Sequence, residues 1–448
     1  VHFMGIGGAG MSALAELLHR RGVHVHGCDL VPGGASDLER FGITIHAGHD
    51  PAHLDGARAV VMTSAIPRDH PELQRARELG IPVIRRAEAL GEAVAGGSLV
   101  AIAGTHGKTT TTVMATEALA SAGLAPTGLA GGRVAAWQGN LRVGSHNVFV
   151  VEADEYDRSF LALRPTVAAV TNVEPDHLDI YRDLSDIRSA FEQFAAPATT
   201  VVLCADDDGA SSLVVREGAD VLTYGIGDGP ARVTAHEILA VEGRLRFLVR
   251  FDGADIGELA LQVPGVHNVR NALAAIGCGL AMGVTLERMR AGLEAFEGVE
   301  RRFQRLGAVR GVQVVDDYAH HPTEIIATLD AARAAFPGRR LIAAFQPHLF
   351  TRTRDFAEQF GGALARADVV FLTAIYPARE QPIPGVTSAL VADALRRVGR
   401  APEWVGERAD LASALSSMAR EGDVILTLGA GDITQTGREL LQRLGSPS

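Results

Sequence analysis

Among 448 residues the chain has a single lysine, Lys108, and carries its other high-titrating positive charges on arginine. The two are not interchangeable: lysine is a compact point charge, arginine a planar fork. Position 108 therefore demands an ammonium. Lys108 closes the run Gly104, Thr105, His106, Gly107 and is followed by Thr109 and Thr110, between the apolar stretch Leu99 to Ala103 and a helical stretch from Thr109 to Ala122. A glycine turn entering a helix offers backbone N–H groups and the positive end of the helix dipole to a polyphosphate. Lys108 would neutralise the β- and γ-phosphates, and the Thr109 hydroxyl would complete a magnesium shell. The general P-loop pattern is incomplete, because Ile102 stands where its first glycine would be. A plain glycine turn with a surface lysine is the ordinary alternative, but it does not explain why lysine occurs nowhere else.

Two acidic clusters follow apolar runs. Glu152, Asp154, Glu155 and Asp157 come after Val148 to Val151, and Asn172, Glu174, Asp176, His177 and Asp179 after Val167 to Thr171. Ligands of open α/β sheets bind at the carboxyl ends of strands, so some of these acids are expected at a metal, with His177 a ligand or a member of its shell. Solvated loop charge is the plain reading for at least half of them. Gly5, Gly7 and Gly10 spell a dinucleotide turn, with Asp29 placed as a ribose acceptor. That leaves a nicotinamide-dependent oxidoreductase open as a rival of a different class. His24, His26, His46 and His49 lack HExxH spacing and read as ordinary surface or sugar-domain histidines.

These residues need strand-to-loop-to-helix units to hold them. Val1 to Met4, a helix to about Arg20, and a strand ending at Asp29 make a βαβ start. A break at Gly96 and Gly97 precedes a second wound sheet, with a further strand at Val201 to Cys204. Past Phe296 the pattern restarts with strands at Val312 to Val315, Leu341 to Phe345, Val369 to Thr373 and Val424 to Leu428, and a helix at Thr323 to Ala335. The expected fold class is α/β: three successive Rossmann-like or P-loop-like domains with mostly parallel sheets, at residues 1–96, 97–297 and 298–448.

Composition narrows the function. A net charge of −11 argues against a general nucleic-acid or anionic-membrane partner. Cys28, Cys204 and Cys278 have no CxxC spacing and suggest neither a disulfide framework nor zinc, which fits a reducing cytosol. There is no export leader pattern and no apolar run long enough for a bilayer, so a cytoplasmic location is expected.

The motifs GTHGKTTTT at Gly104, EADE at Glu152, NVEPDHLD at Asn172 and HNVRNALAA at His267 resemble the Mur ligase family and its folylpolyglutamate relatives. GIGGAGMSALAE at Gly5, TSAIP at Thr63, RRF at Arg301, DDYAHHPTE at Asp316, FQPH at Phe345, TRTRD at Thr351, YPARE at Tyr376, PIPGVTS at Pro382 and GAGDI at Gly429 extend the resemblance over all three domains. The histidine-containing phosphate loop looks like that of the alanine-adding members. The resemblance implies an ATP- and Mg2+-dependent amide ligase joining L-alanine to UDP-N-acetylmuramate, as a monomer or homodimer. An alternative within the family is the ligase that recycles a preformed tripeptide.

By the same resemblance, Gly5, Gly7, Gly8, Gly10, Asp29 and Ser64 serve the UDP-sugar. Gly104, Thr105, His106, Gly107, Lys108, Thr109, Thr110, His267, Asn268, Asn271 and Arg302 serve ATP, and Thr109, Glu152 and His177 the metal. Lys108, Glu152, His177, Asp317 and His320 are implied as catalytic, and Tyr318, His321, Arg352 and Arg354 as amino-acid contacts. Asp317, His320 or His321 would take the proton from the alanine ammonium. The family commonly has an arginine after FQPH, where this chain has Leu349, so carboxylate recognition is expected to rest on Arg352 or Arg354. A carbamylated lysine bridging metals, used by several members, is ruled out when the only lysine lies in the phosphate loop.

Overall fold

The computed structural model describes residues 1–445 apart from Glu242 and Arg379. Three sheets organise them. The first is wholly parallel, in the order Thr44–Ala47, His26–Asp29, His2–Met4, Val60–Met62, Val83–Arg85. Helix Ala9–Arg20 buries Met11, Leu14 and Leu17, the spacing of an amphipathic face. His24 precedes the second strand and is exposed, so only His26 of that pair lies on the strand.

In the second sheet Ser98–Ala103 is central, flanked by Val148–Glu152 and Val167–Val170, all parallel. Thr200–Cys204 and Asp220–Ile226 continue it on one side, and Thr127–Val134 with antiparallel Gly139–Arg142 closes the other. Beyond Asp220–Ile226 come Val233–Val241, Arg244–Phe251 and Ala254–Leu261. Helix Lys108–Ser121 is buried on nearly every side, so its position is fixed by packing and its first turn is held firmly at the strand ends.

In the third sheet, Val312–Asp317, Val424–Leu428, Leu341–Phe345, Val369–Thr373 and Trp404–Gly406 run parallel, with Gln304–Val309 antiparallel at one edge. The period of two divides its side chains between two cores. Val315, Ala343, Phe345 and Leu426 pack with Ile325, Leu329, Phe360 and Leu395 of the helices on one face. Val314, Ile342, Ala344 and Ile425 pack with Leu411, Leu415 and Leu440 on the other. Burial on both faces is why these strands read as unbroken apolar runs.

The chain divides into two compact units, one of residues 1–239, 246–261 and 269–296, the other of 240–245, 262–268 and the stretch from Glu297 onward. No helix among the described residues is long and apolar enough to cross a membrane.

Candidate active site

The phosphate loop turns through two glycines that tolerate no side chain. Gly107 caps the helix at φ +80°, and a Cβ there would sit 2.5 Å from Asn271 Oδ1. Gly104, at φ +139°, passes so close to Thr171 that a Cβ would overlap its hydroxyl. The loop is pinned from the next strand end: Asn172 Oδ1 accepts from the His106 N–H at 2.7 Å, its Nδ2 donates to His106 O at 3.1 Å, and Thr105 Oγ1 accepts from Glu174 N at 2.9 Å. Asn172 is thus a positioning residue, and its place in the second polar cluster is explained by the loop it holds.

Lys108 is half-buried and donates from Nζ to Gly104 O at 2.6 Å, Thr105 O at 3.1 Å and Glu155 Oε1 at 3.0 Å. Burial alone would lower its pKa, but Glu155, and further off Asp154 and Glu152, outweigh it and hold the ammonium above its ordinary value. Glu155 is 4% exposed. Burial opposes its charge, yet Lys108 and His177 keep its carboxyl below the usual range. His177, at φ +52°, brings Nε2 to 3.5 Å from Glu155 Oε1. Sequence reasoning placed Glu155 only within a cluster; the structure makes it the partner of the one lysine.

Glu152 serves a different neighbour. Thr109 Oγ1 donates to Glu152 Oε1 at 3.0 Å, and the other carboxylate oxygen accepts from Gly131 N. Adjacent ligands in an octahedral magnesium shell with bonds near 2.05 Å are roughly 2.9 Å apart, so this hydroxyl and carboxylate fit two neighbouring positions. His177 meets the carboxylates of Glu155 and Asp176, which suits the rim of a cation site. Thr110 is buried in the same first turn, and Asn271 accepts from Thr111 Oγ1 at 3.3 Å.

In the first sheet the Gly5 to Gly10 turn follows its strand as expected, with Gly5 at φ +81°. Asp29 Oδ2 accepts from Gly7 N at 2.8 Å, and its Oδ1 accepts from Val31 N at 2.9 Å. Asp29 therefore shapes the turn. Arg86 packs over Gly10, with its guanidinium 2.9 Å from a Cβ built there. It also lines a cavity of about 450 Å³ with Ser64, Arg68, Arg77, Arg85 and Arg158. So many guanidinium groups suit an anionic ligand carrying phosphate or carboxylate.

In the second unit, Asp317 is spent on backbone. Its oxygens accept from Phe303 N and Ala319 N, each at 2.8 Å, and burial pushes its pKa up to about 6 against the lowering effect of Arg302. Arg302 pairs with Glu324 at 3.3 Å and lies over the Tyr318 ring. His320 Nδ1 is 3.1 Å from Glu324 Oε2, and its ring meets Tyr318 and His348. His321 is buried with its ring against Phe356. Asn268 donates to Pro264 O at 2.7 Å, and His267 packs against Gly265.

The two expected amino-acid arginines differ. Arg352 is 6% exposed and 3.4 Å from His348, whereas Arg354 is exposed and paired with its neighbour Asp355 at 2.7 Å. His348, the last residue of the FQPH motif, stacks on Tyr376; the motif alone does not distinguish it from its neighbours. Leu349 is buried, at φ +69°, where it caps helix Phe350–Leu364.

Tandem parallel sheets, a phosphate loop with a charge-paired lysine, and a hydroxyl–carboxylate pair beside it define an ATP-using enzyme of the α/β class. Three family models match in succession: the Mur ligase family catalytic domain at residues 1–97, the Mur ligase middle domain at 102–279, and the Mur ligase glutamate ligase domain at 301–431. The chain belongs to the Mur ligase family. It is 44% identical over 450 residues to a UDP-N-acetylmuramate–L-alanine ligase of Salinibacter ruber, covering 99% of this chain and 94% of that one. With the enzyme of that name in Streptomyces avermitilis it shares 45% over 451 residues, covering 99% and 97%. The UDP-N-acetylmuramate–alanine ligase of Thermotoga maritima matches in structure with a TM-score of 0.85 at 32% identity, covering 99% of this chain and 98% of that one. A murein peptide ligase of Psychrobacter arcticus matches at 0.74 and 26%, covering 100% and 99%.

Proposed function

We propose that this protein joins L-alanine to the muramate carboxylate of UDP-N-acetylmuramate at the expense of ATP, a step of peptidoglycan synthesis that takes place in the cytoplasm. The observation that carries the reading is similarity along the whole chain to ligases of that name, laid over a phosphate loop whose lysine is the only one in the sequence. The higher structural similarity to the alanine ligase than to the murein peptide ligase favours alanine over a peptide.

The carboxylate of the sugar attacks the γ-phosphorus, ADP leaves, and an acyl phosphate forms. The alanine amine then displaces phosphate to give the amide. Lys108 and the loop N–H groups stabilise charge on the transferring phosphoryl. Thr109 and Glu152, with His177 at the rim, would hold Mg2+, which offsets phosphate charge when bound. The arginine-lined cavity with Ser64 receives the sugar nucleotide, and the Gly5 to Gly10 turn, shaped by Asp29, its pyrophosphate. Thr110, Asn268, Asn271, His267 and Arg302 are assigned to ATP. Tyr318, His320, His321 and Arg352 are assigned to the amino acid, with Arg352 its carboxylate contact. Because both Asp317 oxygens are engaged by backbone, His320 is the better proton acceptor for the alanine ammonium.

Phosphate release from ATP and Mg2+ with UDP-N-acetylmuramate, compared across L-alanine, glycine, L-serine and the tripeptide, tests the reading. Release that needs the sugar and is fastest with L-alanine supports it; release with the tripeptide alone makes the protein a recycling ligase.

A further inference from the structure

The first sheet gathers ligating side chains that phosphoryl transfer does not use. His2 pairs in register with His26, and Cys28 with His46, on three adjacent parallel strands. The two-residue period puts all four on one face. The turn Pro51–Leu54 brings His53, and helix Pro71–Glu78 brings Glu72, against that face. The cluster adjoins the carboxyl-end turn at Gly5 to Gly10 through Cys28, whose carbonyl accepts from Gly5 N at 2.9 Å and Ile6 N at 3.1 Å, but it uses none of the residues assigned to the sugar nucleotide.

Glu72 and His2 are fully buried. Among the described residues the ion-pair partners of the Glu72 carboxylate are histidines, His53 and His49 at 3.2 Å and His2 at 4.0 Å, and its Oε1 also accepts from Asp50 N at 3.0 Å. A carboxylate withdrawn from water is costly without a fixed cation, and no lysine or arginine among these partners supplies one. The spacing suggests what would. Tetrahedral zinc, with bonds near 2.0–2.1 Å to nitrogen or oxygen and 2.3 Å to sulfur, holds its ligand atoms roughly 3.3–3.7 Å apart. Here Cys28 Sγ is 3.3 Å from His2 Nε2 and 3.5 Å from each Glu72 oxygen, and His53 Nδ1 is 3.2 Å from Glu72 Oε1. All four ligand atoms lie within 4.8 Å of one another. The other ring nitrogen of His2 faces His26 Nδ1 at 3.2 Å, the outer hydrogen bond that orients a metal-bound imidazole.

We propose that His2 Nε2, Cys28 Sγ, His53 Nδ1 and a Glu72 carboxylate oxygen form a buried structural site for Zn2+, fastening the first sheet to helix Pro71–Glu78. On binding, the Cys28 thiol gives its proton to solvent, so the thiolate, the carboxylate and the dication sum to zero charge in the core. His49 Nδ1, 3.2 Å from both Cys28 Sγ and a Glu72 oxygen, is the neighbour positioned to exchange with a ligand.

The test is Co2+ titration of the full-length protein with ATP and excess Mg2+ present to fill the phosphate-loop site. A thiolate-to-cobalt charge-transfer band saturating at about one equivalent is expected, displaced by Zn2+ and accompanied by a rise in melting temperature. Cys28→Ser should abolish the band, and His53→Ala should weaken binding at least tenfold. The absence of the band in folded wild-type protein, or its survival in Cys28→Ser, overturns the site. If Cys28→Ser does not fold, unchanged Co2+ affinity in His53→Ala overturns it.

Discussion

The Lys108 ammonium lies 2.9 Å from the Glu155 carboxylate at the carboxyl ends of the central strands, with Glu155 buried and the lysine side chain 15% exposed. The same lysine also donates to two carbonyls of its own loop, so its position is set before any phosphate meets it. Preorganised charge of this kind acts where charge develops in the transition state.

Replacing Lys108 by alanine should therefore reduce kcat by about 10²–10³-fold, the typical cost of removing one such stabilising group. Lys108→Arg should fail almost as badly, because the larger planar guanidinium cannot serve both loop carbonyls and Glu155. Phosphate release under saturating substrates measures this. Activity within threefold of wild type in Lys108→Arg would count against a positional demand for lysine.

Glu155→Gln separates positioning from metal binding. It leaves the half-buried ammonium hydrogen-bonded to neutral groups, with Asp154 and Glu152 only further off, a change costing at most about 3–5 kcal/mol, the figure for breaking a fully buried pair. Glu152, which faces Thr109, is untouched. Denaturant unfolding should show the stability loss, while the Mg2+ concentration giving half-maximal activity stays near that of wild type. A Mg2+ requirement raised tenfold would instead make Glu155 a metal ligand.

Gly131→Ala tests the hydroxyl–carboxylate pair from the outside. A Cβ at Gly131 would stand 2.6–2.7 Å from the carboxylate atoms of Glu152, forcing that side chain away from Thr109. Displacing a group that orients a metal site typically lowers metal affinity about 10–100-fold. The half-maximal Mg2+ concentration should rise by that factor with little change in Tm. An unchanged Mg2+ dependence would dissociate Glu152 from the metal.

Asp317 gives a pH signature. Its pKa of about 6 exceeds the roughly 3.9 of an exposed aspartate. Between the two values the folded protein holds a proton that the unfolded chain has released, so its stability contribution falls as pH rises through this window. Relative to Asp317→Asn, which does not titrate, wild type should be more favoured at pH 4 than at pH 7, by on the order of 2–3 kcal/mol. A stability difference between the two that is flat with pH would show that Asp317 keeps an ordinary pKa.

Strands buried on both faces were legible because they are unbroken apolar runs: Leu341–Phe345, Val369–Thr373 and Val424–Leu428 fall where the sequence predicts. Val233–Val241, Arg244–Phe251 and Ala254–Leu261 are passed over by the same criterion. They are half exposed, with Arg246, Arg250 and Glu258 interleaved among the apolar residues, so no run stands out. Lys108 was visible through its uniqueness, but Glu155 resembles its acidic neighbours until the backbone turns it inward. The histidines of the first sheet read as ordinary because His2, Cys28, His53 and Glu72 are far apart in sequence. Only strand register brings them to one face, and helical metal-motif spacing cannot reveal that.

The arginines after FQPH allow a last discrimination. The sequence offers Arg352 and Arg354 equally, two residues apart near the start of one helix. The structure buries Arg352 beside His348 and leaves Arg354 exposed in a pair with Asp355. Exposed pairs of this kind contribute about 0–1 kcal/mol, whereas a charge-assisted contact to a substrate carboxylate contributes about 1.5–3 kcal/mol. Arg352→Ala should accordingly raise the KM for L-alanine about 10–100-fold while leaving the KM for ATP near that of wild type. Arg354→Ala should leave both within twofold. Leu349, buried at positive φ between His348 and this helix, has no room to take over an arginine's task, so Leu349→Arg should not rescue Arg352→Ala. Steady-state kinetics with alanine varied at saturating ATP and sugar nucleotide decide the matter. A large KM effect in Arg354→Ala and none in Arg352→Ala would reverse the assignment.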